Sequence, residues 1–476
     1  MKIALLCPTW TDDFGIFSKI AKKRNSQPPL GIVYLASVAE KRGHAVEVID
    51  TDVEGYSMDS LADYLIAGKF DIVGITATSP IFHKAVALAK NLKSRLFANP
   101  VVIGGEHINI FKKAAFLDCF DYGFYGESDV TFGRFLDILA DRGSDFAGMC
   151  GFLYRKNGQT VETSPGDAIA DLDQLDFPAM HLLKHDRYVM TFAKFSPRKY
   201  LPVMATRGCP FKCVYCSEPL TNPHVRFRSP KNIVDELEKW VKELGVSHFF
   251  FMDSNLTLKR EQTTGVCGEI IRRGLKITFE GWTRANLVDR EILTLLKKAG
   301  LIRISYGIES GDPEILKIIK KEVSREDMLN AFKLTDELGI EPACSVMLGL
   351  PGETRRSVEA TIDFVKNIPQ MLYSNFSIAN PYPGTEMYGW AREGRHGMKL
   401  LITDDSQYRR YDSSPVSVND LGPDDLVRLQ KTGLLKMHLT PKRMIAAVKM
   451  LGISNLLPIF FDLLRSALFR GAPKKQ

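Results

Sequence analysis

Up to about residue 140, short apolar runs alternate with stretches in which apolar residues recur every three or four positions. The runs are "KIALLC", "HAVEVID", "DIVGITA", "PVVIGGE" and "FDYGFYG"; the stretches between them include "LGIVYLASVAEKRG", closed by Gly43, and "FHKAVALAKNLKSRL". The first pattern predicts strands and the second helices. Because the strands are apolar almost throughout, both faces of their sheet must be covered, which predicts a doubly wound parallel α/β sheet. Sheets of that kind bind ligands at the carboxyl ends of their strands, here the loops Pro8 to Leu30, Thr76 to Pro80, Gly104 to Asn109 and Gly126 to Asp129.

From about Ser144 to Tyr200 the rhythm is lost, and "GFLYRKNGQTVETSP" predicts a small hairpin turning at Asn157-Gly158 within a connector. A second alternation starts at Leu201. Its strands are "PVMAT", "HFFFMD", "ITFEGWT", "IRISYGIES", "PACSVMLGL" and "SNFSIAN", and helices such as "SPKNIVDELEKWVKELG" intervene, with Ser229 as N-cap, Pro230 in the first turn and Gly245 at the end. Six β/α units predict a partial (β/α)6 barrel, whose chemistry sits where the strands end. The expected divisions are 1–143, a connector 144–200, a barrel 201–390 and a helical C-terminal region 391–476.

The length of 476 residues, with 45% hydrophobic and 25% charged residues, fits an ordinary folded chain of two or three domains. No secretory leader and no apolar run of membrane-spanning length is visible, so a cytoplasmic protein is expected. The net charge of +7 is local: Lys436 to Gln476 carries eight basic residues against Asp462 alone. That distribution argues against a nucleic-acid partner.

Eight cysteines are too few for a disulfide scaffold. Cys7, Cys119, Cys150, Cys267 and Cys344 stand singly, as small buried hydrophobes do, whereas Cys209, Cys213 and Cys216 cluster in "TRGCPFKCVYC" directly after the first barrel strand. Structural zinc takes four ligands, and no second Cys or His pair follows at zinc-finger spacing. A [4Fe–4S] cluster held by three thiolates leaves one iron open for a substrate or cofactor.

This CxxxCxxC loop in a partial barrel resembles the radical S-adenosylmethionine (SAM) enzymes. The resemblance implies that Cys209, Cys213 and Cys216 bind a [4Fe–4S] cluster whose open iron takes SAM and cleaves it to a 5′-deoxyadenosyl radical. Tyr215 matches the aromatic residue before the last cysteine. "FFFMDSNLT" resembles the second-strand motif of the cobalamin-associated branch, carrying over Asp253, although Ser254 and Leu256 depart from it. "GIESG" resembles the ribose-binding strand and implicates Glu309, "GLPGET" the adenine loop with Gly349 and Gly352, and Arg284 in "WTRAN" is placed to pair with the SAM carboxylate.

The first domain is similar to the flavodoxin-like, cobalamin-binding domain that precedes this barrel in the same branch, through "PPLGIVYLASVAEKRGHAVEVID", "VIGGEH" and "YGESD". This implies a cobalamin site from Leu30, Gly31, Thr76, Ser79, Gly104, Gly105, His107, Gly126 and Glu127, with His107 either near cobalt or an ordinary loop histidine. The D-x-H-x-x-G motif is absent, its loop reading "CPTWTDDFG", and no G-x-G-x-x-G follows the first strand, which disfavours an NAD site. A generic flavodoxin-like domain is the alternative.

The family implies methylation of an unactivated carbon through methylcobalamin, an anaerobic oxidative cyclase of the magnesium-protoporphyrin type as the alternative, and a flavodoxin or ferredoxin as electron donor. A non-catalytic cobalamin or redox sensor is a third reading. In the tail, Leu456, Phe460, Leu463, Leu464, Ala467 and Leu468 recur at helical spacing beside basic residues. That pattern suits a helical cap on the barrel, or an interfacial helix that touches anionic lipid and meets an apolar or lipid-like small-molecule substrate.

Overall fold

The computed structural model describes residues 1–457 and 461, apart from 13, 15–17, 19, 20, 22–26, 142 and 144. Phe460, Leu463, Leu464, Ala467 and Leu468 of the tail pattern therefore lie outside the described residues. Two compact units form: one from Met1–Asp12, Ser26–Tyr188 and Arg226–Arg228, the other from Asp13–Asn25, Val189–Val225 and Ser229–Gln476.

In the first unit, β1 (Lys2–Cys7), α1 (Leu30–Glu40), β2 (Ala45–Asp50), α2 (Met58–Ala67), β3 (Ile72–Thr76), α3 (Phe82–Ser94), β4 (Val101–Gly104), α4 (Glu106–Phe111), β5 (Tyr122–Phe124) and α5 (Ser128–Ala140) follow in order. The strands β2-β1-β3-β4-β5 are parallel, the flavodoxin-like order. Ala4, Leu6, Val73, Ile75, Val101 and Ile103 pack against Leu61, Leu65, Leu88 and Leu92 of the helices α2 and α3.

The hairpin read as part of a connector belongs to this sheet. Its strands β6 (Phe152–Lys156) and β7 (Gln159–Glu162) turn at Asn157 (φ 52°) and Gly158 (φ 75°), as expected, but β6 pairs antiparallel with β5 and extends the sheet to seven strands. Phe152 stacks on Tyr122 and meets Phe124 edge-on, which is the burial that the isolated hairpin lacks.

In the second unit, β8 (Leu201–Val203), α6 (Pro230–Leu244), β9 (His248–Phe251), α7 (Arg260–Arg272), β10 (Thr278–Thr283), α8 (Arg290–Ala299), β11 (Leu301–Glu309), α9 (Arg325–Glu337), β12 (Glu341–Leu348), α10 (Arg355–Lys366) and β13 (Asn375–Ile378) build a parallel six-stranded half-barrel in chain order. Ser229 caps α6 by accepting from the Asn232 amide, and Gly245 ends it at φ 65°. Alternate strand residues face the helices: Tyr306 donates or accepts at Thr335 and lies edge-on to Phe332, both on α9.

The amino-terminal end of the half-barrel is closed by a buried charged network. Arg303 donates to Glu280 (2.5 Å), Thr191 O (2.9 Å) and Tyr373 (3.1 Å), and its guanidinium covers the Phe192 ring. Glu341 accepts from the amides of Ala193 and Lys194. Every charge here has partners, the condition for burying it.

The tail helix α11 (Pro423–His438) covers the edge strand β13, where Gln430 donates to Phe376 O (2.7 Å), and α12 (Pro441–Leu451) packs Ala446 against Ala193 and Leu372. Arg443, one of the eight basic residues of the tail, is buried and donates to the carbonyls of Lys366, Ile368 and Met371. It serves the carboxyl end of α10, where carbonyls lack helical partners.

Candidate functional site

The cysteine loop leaves β8 at the carboxyl edge of the half-barrel, and its shape follows from five hydrogen bonds and one glycine. Asp253, after β9, accepts from the amides of Ala205 (2.9 Å) and Thr206 (2.6 Å), so this residue anchors the loop's entry. Gly208 adopts φ 93°, and a Cβ there would lie 2.4 Å from His224 O. The Gly208 amide donates to Glu218 (3.2 Å). Val214 N donates to Ile319 O and Val214 O accepts from Met387 N, which clamps the loop from both sides.

Cys209, Cys213 and Cys216 are free thiols. Asn255 donates to the Cys209 sulfur (3.4 Å) and Arg284 to the Cys213 sulfur (3.6 Å). Burial, with the neighbouring thiols adding to it, pushes Cys216 up to about 12, and burial also raises Cys209. Such thiols ionise when a metal charge is present. Among the described residues no three His, Cys, Asp or Glu side chains converge on a single-ion site. A cubane cluster sets each thiolate on a different iron, so thiols spread along one loop suit it better than they suit a zinc ion.

Arg284 is 3% exposed, sets its guanidinium carbon over the Phe211 ring at 3.7 Å from the centroid and uses only Nη1 on a sulfur; its Nε and Nη2 have no hydrogen-bond partner among the described residues. Buried guanidinium donors without acceptors fit a carboxylate ligand beside the thiols. Glu309 ends β11 at φ 62°, a conformation that costs a non-glycine residue about 1–2 kcal/mol. Its carboxylate lies 3.0 Å from the Lys321 ammonium, which also donates to Tyr215 (3.4 Å). The pair crosses the space above Gly307, where a Cβ would lie 2.4 Å from Glu309 Oε1.

On the next strand end, Gly349 (φ 86°) and Gly352 (φ 85°) belong to a loop organised by Glu353, whose Oε2 accepts from the amides of Gly349 (2.7 Å) and Leu350 (3.0 Å). Glu353 Oε1 is buried without a partner among the described residues, and burial pushes the carboxyl up to about 8. Tyr215, Glu309 and Arg284 thus gather round the cysteine loop, and Asp253 holds the backbone at its entry. Lys321, Phe211, Asn255 and Glu353 were missed. Phe211, Asn255 and Glu353 lie inside the motifs of the strand-end loops, but Lys321 follows a short helix and carries no pattern of its own.

In the first unit, the carboxyl ends of β3, β4 and β5 bring Thr76, Ser79, Gly104, Gly105, His107 and Gly126 to one sheet edge. Gly105 has φ 99°, and a Cβ there would fall 2.7 Å from Thr76 Oγ1 and 2.8 Å from the Ala77 backbone. His107 is stacked on Phe82 and bonded to Ser79 Oγ (2.9 Å); burial lowers it to about 4, so the imidazole is neutral. Gly126 donates to Asn109 (2.8 Å). Leu30 and Gly31 open α1 at the same edge, with nothing within 4 Å of a Cβ at Gly31. Glu127 is committed elsewhere, accepting from Arg226 and from the Ile169 amide (2.9 Å). The edge is glycine-rich, with free space at Gly31 and Gly126, which suits a nucleotide tail.

A flavodoxin-like sheet with an open carboxyl edge and a half-barrel carrying three thiols after its first strand define a two-cofactor radical enzyme. The Radical SAM superfamily description matches residues 203–365 and the B12 binding domain description residues 20–136. An uncharacterized methyltransferase of Pyrococcus horikoshii is 31% identical over 88% of this chain and 89% of its own. The anaerobic magnesium-protoporphyrin IX monomethyl ester cyclase of Rubrivivax gelatinosus is 30% identical over 76% and 66%. The fold is that of the radical S-adenosylmethionine methyltransferase TsrM from Kitasatospora setae, solved with cobalamin and a [4Fe–4S] cluster (TM-score 0.70, 16% identity, 98% of both chains). The chain belongs to the cobalamin-binding radical SAM enzymes. Its cofactors are a [4Fe–4S] cluster, SAM and cobalamin.

Proposed function

We propose that this enzyme methylates an unactivated carbon of a small molecule, with the cobalamin domain in 1–143 and the radical SAM core in 201–390. The observation that carries the site assignment is Arg284, buried beside the Cys213 sulfur with two guanidinium nitrogens unspent. When bound, the cluster and SAM supply a 5′-deoxyadenosyl radical and cobalamin supplies the methyl group.

The chain's own residues hold and orient. Cys209, Cys213 and Cys216 bind the cluster, Asn255 donates to one of those sulfurs, and Arg284 takes the SAM carboxylate through Nε and Nη2. Glu309, held by Lys321, faces the ribose, and the Gly349 to Gly352 loop faces the adenine. In the first unit Leu30, Gly31, Thr76, Ser79, Gly104, Gly105, His107 and Gly126 line the cobalamin site, with His107 as a neutral aromatic wall.

Anaerobic reconstitution with iron, sulfide, cobalamin, SAM and a flavodoxin or ferredoxin as reductant tests the reading. 5′-Deoxyadenosine is expected from the native protein and none from Cys213→Ala; a Cys213→Ala protein that keeps a full cluster and cleaves SAM defeats the proposal. The similarity to the cyclase favours one competing outcome. Product mass decides between them, since methylation adds one methylene unit whereas cyclase chemistry brings in oxygen from labelled water.

No helix among the described residues is long and apolar enough to cross a membrane. Peripheral contact with anionic lipid is supported by Met444, Ile445 and Val448, which are 49%, 58% and 42% exposed on α12 near Lys442 and Lys449. A cytoplasmic enzyme that meets an apolar substrate at a membrane surface accommodates both features.

A further inference from the structure

In a closed β/α barrel the lumen is filled by layers of bulky branched side chains. The middle layer of this half-barrel is different. Trp282 of β10 lies in register with Ser305 of β11 and Ser305 with Ala343 of β12; one pleat above, Gly307 of β11 lies in register with Ser345 of β12 and Ser345 with Asn375 of β13. In a parallel sheet residues in register share a face, and this is the face of Glu280, Arg303 and Glu341, the network that closes the barrel below. Four strands therefore present one tryptophan, a glycine, an alanine, two serines and an asparagine to the lumen.

This layer is hollow. Trp282 is 37% exposed although it lies within a strand with neighbours on both sides, and Ser345 is exposed in the middle of β12. Phe250 of β9 meets Trp282 edge-on at 4.5 Å, which fixes the plane of the indole. The hydroxyls of Ser305 and Ser345 have no partner among the described residues, and the Asn375 carboxamide spends only its oxygen, on Tyr411. Met347, one pleat above Ser345 and in register with Ser377, adds a polarisable apolar wall.

The charges that border this layer are already paired, the nearest being Glu309 and Lys321 directly over Gly307. Below, Arg303, Glu280 and Glu341 are buried and mutually satisfied; above, Glu309 is paired with Lys321, and Arg284 sits at the cysteines. Between these levels the layer offers one aromatic face, apolar walls and uncharged hydrogen-bonding groups. An anionic or cationic group placed there would lose its hydration without gaining an unpaired counter-charge.

We infer that the half-barrel lumen is a substrate chamber for a ring-bearing molecule that is uncharged at its buried end, stacked against Trp282 and held by the hydroxyls of Ser305 and Ser345. Any phosphate or carboxylate of the substrate points outward. The inference rests on the radical SAM reading, and it names the substrate class that the reading leaves open.

The test is equilibrium dialysis of the anaerobically reconstituted protein against 2-naphthol and against 2-naphthyl phosphate, which share a ring system and differ in charge. Tighter binding of 2-naphthol by at least about tenfold is expected, equivalent to about 1.4 kcal/mol. Trp282→Ala is expected to weaken 2-naphthol by about tenfold and Ser345→Leu to exclude it. Both variants are first checked for cluster absorbance and cooperative thermal unfolding; where either fails, the native protein's preference decides alone. Equal or tighter binding of the phosphate, no retention of 2-naphthol, or folded variants whose affinity stays within about twofold overturns the inference. Formation of 5′-deoxyadenosine by the native protein is measured in parallel, so that a wrong chamber is told apart from a wrong enzyme class.

Discussion

The Lys321 ammonium lies 3.0 Å from the Glu309 carboxylate, and each side chain is less than one-tenth exposed. The two residues are twelve apart in the chain, and Glu309 reaches its partner only by taking a left-handed backbone conformation above a residue that has no Cβ. The pair fixes the acid at the end of β11 that we assign to the SAM ribose.

Removing one partner of a buried pair leaves the other charge uncompensated. Lys321→Met is expected to lower unfolding stability by about 3–5 kcal/mol and to abolish SAM binding. The double variant Lys321→Met/Glu309→Gln should regain part of the stability but not the binding, as read by urea unfolding and equilibrium dialysis with SAM.

Glu353 gives a pH dependence of definite sign. Its carboxyl is raised in the folded chain to about 8, first by burial, so the folded state holds its proton more tightly than the unfolded chain does. The resulting stability is present below the ordinary carboxyl range and is lost as pH rises toward 8. Glu353→Gln keeps a neutral acceptor for the amides of Gly349 and Leu350. Between pH 6 and 8 the native protein should lose about 1–3 kcal/mol more than the variant in parallel thermal melts.

Gly105 and Gly126 both have positive φ, yet they differ in surroundings. A methyl at 105 meets the Ala77 backbone at 2.8 Å, whereas nothing lies within 4 Å of one at 126. Gly105→Ala should therefore cost more than the roughly 1–2 kcal/mol of a left-handed alanine and release cobalamin on gel filtration. Gly126→Ala should cost only about that much and retain it.

The exposed row on α12 predicts flotation with anionic liposomes at low salt. Ile445→Asp/Val448→Asp should abolish co-migration without loss of thermal stability, because both side chains are already exposed. Arg443→Gln should do the reverse, lowering the melting temperature by stripping the carbonyls of Lys366, Ile368 and Met371 of their donor. Absence of flotation by the native protein would sink the membrane contact.

The three cysteines, the strand and helix alternation of both sheets and the glycine-bearing strand ends were legible in the amino-acid sequence, since they rest on local spacing, apolar periodicity and the backbone freedom of glycine. The Asn157-Gly158 turn, the Ser229 cap and the six barrel strands belong to the same local physics. What only the tertiary structure decided depends on residues distant in sequence. It turned Asp253 into a backbone anchor and Glu127 into the partner of Arg226, joined the hairpin to the sheet, and sank Arg443 among carbonyls. It also set Lys321 on Glu309 and left the layer around Trp282 hollow. Side-chain pairing and the filling of a lumen are set by register between strands that the chain brings together only on folding, and no local pattern encodes them.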